Sequence, residues 1–184
     1  MNDMDSPKEP ARVFFALWPR PRERTALAAW QDGLYQLCGG RLMRPDTLHT
    51  TLVFLGEVAA DRMEALQWAA QEVALEPFEL CFDTAHYWGH NHIVFAAPGR
   101  VPPQLERLVQ ALQRRLTHHR FHFEQRPYQP HVTLLRHALW NDAGLPAMPA
   151  ACWRITDFVL VQSLRDGLGA RYKVLARFGA PALD

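Results

Sequence analysis

Apolar positions along this chain fall in short blocks whose period alternates between two and nearly four. Residues 12–19, RVFFALWP, read as a strand stopped by Pro19 and Pro21. Leu27, Trp30, Leu34 and Leu37 then recur at helical spacing over 22–38 and end at Gly39-Gly40, a helix stop. Arg44-Pro45-Asp46 marks a turn, and LHTTLVFLG at 48–56 reads as a strand. Met63, Leu66, Ala70 and Val73 predict an amphipathic helix over 61–74. Segments 77–88 and 92–98 alternate apolar with polar around Gly89-His90-Asn91, which predicts a hairpin. Leu105, Leu108, Leu112 and Leu116 form the stripe of a helix over 103–118. RPYQP (126–130) leads into a strand at 131–138. A Pro- and Ala-rich loop over 141–151 precedes closing strands at 153–163 and 171–178, joined by Arg165-Asp166-Gly167.

Strands and helices interleave, yet hairpins are present, so the class expected is α+β rather than a doubly wound parallel sheet. A coarser regularity overlies this. Each half carries a helix, then a turn with proline, then a strand opening on His-x-Thr-Leu. At 184 residues the chain is long enough for one domain, or two small lobes sharing a core. The polar start, residues 1–11, reads as a loose tail before a single domain at 12–184.

Composition changes the picture little. A hydrophobic content of 48% and a charged content of 21% suit a globular protein with a real core. A net charge of +1 excludes any global field that would demand a polyanionic partner, so a nucleic-acid contact has to be local. Residues 107–136 lean basic, with six arginines against Glu124, which by charge alone reads as a solvated helix face and loop. Cys38, Cys81 and Cys152 are widely spaced and odd in number, and are expected in or near the core as small apolar residues. The polar opening lacks the apolar stretch of a secretory signal, and no apolar run approaches the ~20 residues of a membrane span. A reduced, cytoplasmic setting is the default expectation, with no membrane partner.

The chemistry concentrates in two tetrapeptides, His49-Thr50-Thr51-Leu52 and His131-Val132-Thr133-Leu134. One such histidine in a strand is ordinarily a surface pair satisfied by backbone or water. Two such matches in one shuffled chain have a chance on the order of one in a thousand. Period two places His49 and Thr51 on one strand face, with Leu48, Thr50, Leu52 and Phe54 on the other. His131 and Thr133 likewise share a face. An imidazole beside a hydroxyl, presented twice, suits a phosphate ester. One imidazole removes a proton from water, the other protonates the departing oxygen, and the threonines bond the non-bridging oxygens. Histidine fits both roles because its ordinary pKa of ~6.5 lies near working pH. Metal binding is a poorer reading, since no carboxylate accompanies either tetrapeptide.

These residues resemble the 2H phosphoesterase superfamily, and within it the bacterial and archaeal RNA 2′,3′-cyclic phosphodiesterases, historically called 2′-5′ RNA ligases. RVFFALWP resembles that family's opening strand, LHTTLVFLGEV its first motif, PHVTLLR its second, and SLRDGLGARYKVLARF its closing segment. The likeness runs in order from residue 12 to 178. It implies a bilobal 2H phosphoesterase (LigT-like) fold, two pseudo-twofold lobes whose antiparallel sheets line a central cleft, with helices outside. It also implies metal-free, cofactor-free hydrolysis of a 2′,3′-cyclic phosphate to a 2′-phosphomonoester. Carried over residue by residue, His49 is the proton donor, His131 the proton acceptor, and Thr51 and Thr133 hold the phosphate.

Arg136 matches the arginine that follows the family's second motif, a phosphate contact. Strict alternation, however, puts Arg136 opposite His131 and gives its place to His137. A twist or bulge after Leu135, a reach around the strand edge, or a plain surface charge would each reconcile the two. Tyr128, three residues before His131, is the candidate for base stacking, ahead of Trp18, Tyr87, Trp88 and Trp140. The histidine clusters His86/His90/His92 and His118/His119/His122 read as solvated surface rather than ligand sets. The expected partner is RNA, or an oligonucleotide, ending in a 2′,3′-cyclic phosphate, met by a monomer. The alternatives are a small cyclic-phosphate nucleotide, ligation of 2′-5′ ends, or a non-catalytic RNA- or nucleotide-binding module.

Overall fold

A computed structural model describes residues 9–141, 144, 147–166 and 169–179. The elements follow the order β1 (Ala11–Leu17), α1 (Pro21–Cys38), β2 (Arg41–Leu42), β3 (Thr50–Val58), α2 (Met63–Gln71), β4 (Phe78–Phe82), β5 (Thr84–Trp88), β6 (Ile93–Ala97), α3 (Pro103–His118), β7 (Val132–Arg136), β8 (Ala151–Ile155), β9 (Asp157–Asp166) and β10 (Gly169–Gly179). Two four-stranded antiparallel sheets, ordered β10-β9-β1-β3 and β2-β7-β6-β5, are joined by a two-stranded ribbon, β4-β8. The expected α+β class with antiparallel sheets is what the fold shows.

The helices form where the pattern placed them. Pro21 opens α1 with its φ already helical, and the Glu23 carboxylate accepts the Arg20 backbone N–H at 2.7 Å. Leu27, Trp30 and Leu34 are buried, but the expected fourth stripe residue, Leu37, is 39% exposed. Gln31 and Cys38 take the inner positions instead, because the buried face drifts around the helix. In α3 the stripe of Leu105, Leu108, Leu112 and Leu116 is wholly inside. One contiguous core gathers α1, α3 and the inner faces of both sheets, so the two halves share their buried interior. Among the described residues no helix is long and apolar enough to cross a membrane.

Two predicted strands split. Segment 77–88 becomes β4 and β5, and 153–163 becomes β8 and the start of β9, with each break sending the chain into a different sheet. Two consecutive polar residues, Asp83-Thr84 and Thr156-Asp157, interrupt the alternation at the two breaks, and these short interruptions mark the corners. The two-residue β2 was not read as a strand at all. The N-terminal stretch read as a tail lies outside the described residues up to Lys8, and Ala11 already belongs to β1. In the expected turn 165–167, Arg165 and Asp166 still belong to β9, while Gly167 falls outside the described residues.

The cysteine expectation needs correcting. Cys38 is buried and free, but Cys81 and Cys152 stand directly opposite each other in the β4–β8 register and form a disulfide. The inner face of this ribbon is Phe78, Leu80, Phe82, Ala151, Trp153 and Ile155, all buried, so period two pushes both cysteines to the outer face. A separation of 71 residues concealed the pairing.

Candidate active site

The two His-x-Thr-Leu strands belong to different sheets, β3 in one and β7 in the other, and their polar faces meet in one cleft of about 550 Å³. His49, Thr51, His131, Thr133 and Arg136 all line it. The histidines are held alike. The Nδ1 of His49 lies 2.7 Å from the Thr47 carbonyl, and that of His131 lies 2.8 Å from the Gln129 carbonyl, each two residues back along the chain. A carbonyl only accepts, so Nδ1 carries the proton in both rings and Nε2 is left with its lone pair.

The beds beneath the rings differ in detail. His49 stacks on Trp18 at 5.3 Å and lies tilted against Phe14 at 5.0 Å, with the Tyr172 ring edge-on at 5.1 Å. These aromatics rest on a small apolar cluster of Phe14, Ala16, Val159 and Val161, on the cleft face of the first sheet. His131 meets Trp88 edge-on at 4.7 Å and Phe95 at 5.6 Å. Burial in such surroundings disfavours the imidazolium and pushes His49 down to about 4, against the opposing pull of the Thr47 carbonyl, with the charges of His131 and Arg136 adding to the depression. His131 is lowered for the same first reason, with Arg126 and Arg136 adding to it. Arg136 lines the same cleft as both histidines and lowers both, and it opposes the rise that burial imposes on Tyr172.

A bulge places Arg136 there. In the β6–β7 ladder Val94 faces Leu135 and Phe95 faces Thr133, so Leu134 is the extra residue. Leu134 and Leu135 both go into the core, and the next side chain, Arg136, turns to the cleft face. His137 leaves the strand with a φ of 55° and lines the cleft from its end, so it does not replace Arg136. The same irregularity recurs in the first motif. Phe15 faces Val53 and Ala16 faces Thr51, Leu52 is skipped, and Phe54 faces Phe14 on the cleft side. This corrects the expectation that Phe54 lies opposite His49. Phe54 and Arg136 therefore hold equivalent places in the two motifs, an aromatic ring in one and a cation in the other.

The Leu134 bulge is pinned from behind. Its carbonyl accepts the Met43 N–H at 2.9 Å and the Gln31 side-chain amide at 2.9 Å, and the same amide also reaches the Met43 carbonyl at 2.8 Å. Gly40 runs so close that a Cβ there would lie 2.6 Å from the Arg136 carbonyl, and its φ of +88° also favours glycine.

Sequence reasoning missed Ser163 and Tyr172, which line the cleft from β9 and β10, and Arg12, Arg41 and Arg165 on its rim. Three isolated arginines gave no local signal. The basic stretch it did single out disperses: Arg107, Arg115 and Arg126 pair with Glu76, Glu72 and Glu124. Tyr128 lines a second arm of the cleft, about 400 Å³, but its hydroxyl is buried without a partner, so only its ring is offered. Trp88 lines that arm too and touches His131. His86 bonds Thr84, His92 bonds Tyr87 and His119 pairs with Glu72. Among the described residues, the three-ligand grouping of His, Cys or acid side chains is Glu79, Cys81 and Cys152, on the outer ribbon.

Comparison with known proteins agrees along nearly the whole chain. The profile of the 2′-5′ RNA ligase superfamily matches residues 17–167. An RNA 2′,3′-cyclic phosphodiesterase of Escherichia coli K12 is 31% identical over 172 residues, 92% of this chain and 97% of that protein. The crystal structure of E. coli LigT in apo form superposes with a TM-score of 0.85 at 30% identity, covering 94% of this chain and 98% of LigT. The complex of LigT with 3′-AMP gives 0.84 at 30% identity over 93% and 98%.

Proposed function

The chain belongs to the 2′-5′ RNA ligase superfamily, and from that premise we propose that it opens the 2′,3′-cyclic phosphate at an RNA end to a 2′-phosphomonoester, with His49 as proton donor and His131 as proton acceptor. One observation carries this reading: two histidines from different sheets, each fixed by the same Nδ1 bond to a carbonyl, present Nε2 to a single cleft that also holds Arg136.

The His131 Nε2 lone pair takes a proton from the attacking water as its oxygen bonds to phosphorus. The bond from phosphorus to the 3′ oxygen breaks, and His49 Nε2–H supplies the proton that oxygen needs. Thr51 and Thr133 donate to the non-bridging oxygens, and Arg136 offsets the charge that builds on them. Burial leaves His49 without its Nε2 proton in the free protein at neutral pH. The anionic substrate therefore has a second task, raising that pKa until His49 is charged beside it. No metal step enters, because the cleft offers two imidazoles, hydroxyls and arginines, a set that attracts anions and repels a divalent cation. The enzyme works as a monomer in the cytoplasm.

Phosphorus NMR of a cyclic-ended oligoribonucleotide, incubated with protein in excess EDTA, is the direct test. A 2′-phosphomonoester signal is expected. His49→Ala and His131→Ala should each cut turnover by ~10²–10⁴-fold. Full activity in either variant, or strict dependence on added metal, overturns the reading.

A further inference from the structure

The cleft has two arms that share Thr51, Phe54, His131, Thr133 and Arg136, and the arms differ in the charges that line them. The second arm is lined by Trp88 and Tyr128 together with the uncharged Asn91, Gln113 and Gln129, and its Arg126 is already paired with Glu124. The first arm carries Arg12, Arg41 and Arg165 on its rim, and among the described residues no carboxylate lines it. Arg44 lines it as well and pairs with Asp46 just outside.

Arg41 and Arg165 converge although they come from different sheets. Arg41 faces Arg136 across the β2–β7 ladder, and directly opposed side chains sit ~5 Å apart at Cβ, so these two cations stand side by side. Arg165 lies two residues beyond Ser163 on β9, on the same strand face, which here is the cleft face. The Arg41 guanidinium reaches over to β10, where its Nη1 lies 3.7 Å from the Cβ position of Gly169. Neither arginine has an ion-pair partner among the described residues, and both are exposed. Like charges gathered this way repel unless an anion lies between them.

The scissile phosphate is already served by Arg136 and the two threonines at the centre, so Arg41 and Arg165 are surplus to it. We infer that they form a second phosphate site, for the phosphate on the 5′ side of the terminal nucleotide, so that the preferred substrate is a 5′-phosphorylated or internally linked RNA end rather than a bare cyclic nucleoside phosphate. This rests on the cyclic phosphodiesterase reading. Arginine suits the task because its planar fork bonds two phosphate oxygens at once.

Three substrates separate the possibilities: a nucleoside 2′,3′-cyclic phosphate, the same compound with a 5′-phosphate, and a dinucleotide ending in the cyclic phosphate. For the wild-type protein, kcat/KM for the 5′-phosphorylated compound should exceed that for the unphosphorylated one by about tenfold or more. The dinucleotide should behave like the former. That ratio should fall towards one in the double variant Arg41→Ala/Arg165→Ala and be partly kept in Arg41→Lys/Arg165→Lys. In the wild type it should also shrink as salt approaches about 1 M, where the screening length is about 3 Å, a measurement that needs no variant. A wild-type ratio near one overturns the second site and leaves the phosphodiesterase reading standing. A ratio undiminished in the alanine pair overturns the assignment to these two arginines. Turnover of none of the three substrates overturns the phosphodiesterase reading, and this inference with it.

Discussion

His49 and His131 are the same residue in the same tetrapeptide, with the same carbonyl holding each Nδ1, yet their neighbours are not the same. The pairing was legible in the sequence because a repeated tetrapeptide at strand starts is improbable. The aromatic bed was not, because Phe14 and Trp18 lie in and just after β1 while Tyr172 comes from the distant β10. That bed sets the acid–base behaviour. The folded-state pKa of His49, about 4, lies below the unfolded value near 6.5, so between these the unfolded chain binds more protons. Stability from this residue is therefore complete above pH ~6.5 and is lost as pH falls through the folded pKa, by at most roughly 3 kcal/mol. His49→Phe should flatten the loss of urea stability between pH 6.5 and 4 relative to wild type. Histidine NMR titration should find His49 mostly neutral at pH 6 in the free protein. Its pKa should rise by a unit or more with a bound 2′-phosphomonoester. If it stays low in the complex, His49 cannot be the donor and the two roles exchange.

At the scale of elements, the decisive features are two one-residue bulges at Leu52 and Leu134, the fourth residues of the two motifs. Alternation correctly assigned the histidine and threonine faces up to the bulge, then failed for both Phe54 and Arg136. The reason is physical: an extra residue reverses the faces of everything after it, and a Leu-Val or Leu-Leu pair looks the same with or without one. The helices and the β5–β6 hairpin were readable because each is a local pattern, whereas β2 and the β4–β8 ribbon owe their existence to partners far away in sequence. Gln31 shows how such a partner reaches the site. It is buried on α1, and its amide holds both the Leu134 and Met43 carbonyls. Gln31→Met keeps the volume and removes both bonds, leaving the Met43 carbonyl without that donor at a cost of about 1–3 kcal/mol. The bulge then loses one of its two anchors, so kcat should drop several-fold more than the stability loss explains, through misplacement of Arg136. Steady-state kinetics at a temperature where the variant is fully folded checks this, and an unchanged kcat would mean that the Met43 N–H alone holds the bulge.

Across the whole molecule, the two halves are stitched rather than stacked. β2 leaves the first half to pair with β7, the motif strand of the second, while Glu124 of the second half donates its N–H to the Phe54 carbonyl of the first at 2.9 Å. Each motif strand thus carries a segment from the opposite half along its edge, which is why one core serves both and why the cleft between them keeps its shape. The β4–β8 ribbon is the third connection. Its disulfide closes a loop of 71 residues that contains β5, β6, α3 and β7, the whole scaffold of the second motif. By loop-closure entropy a bridge of that span stabilises by up to about 4 kcal/mol, largely by restricting the unfolded chain. Neither cysteine lines the cleft, and the ribbon's inner face, with Phe82 and Trp153 in ring contact at 4.7 Å, packs without them. Cys152→Ser, or reduction of the wild type, should therefore lower urea stability by about 2–4 kcal/mol and leave kcat and KM within twofold. Under thiol-reducing conditions an exposed bridge of this kind opens, so that second result decides whether the protein works with its thiols reduced. A parallel loss of turnover would mean instead that the ribbon holds the two motif strands at their working separation.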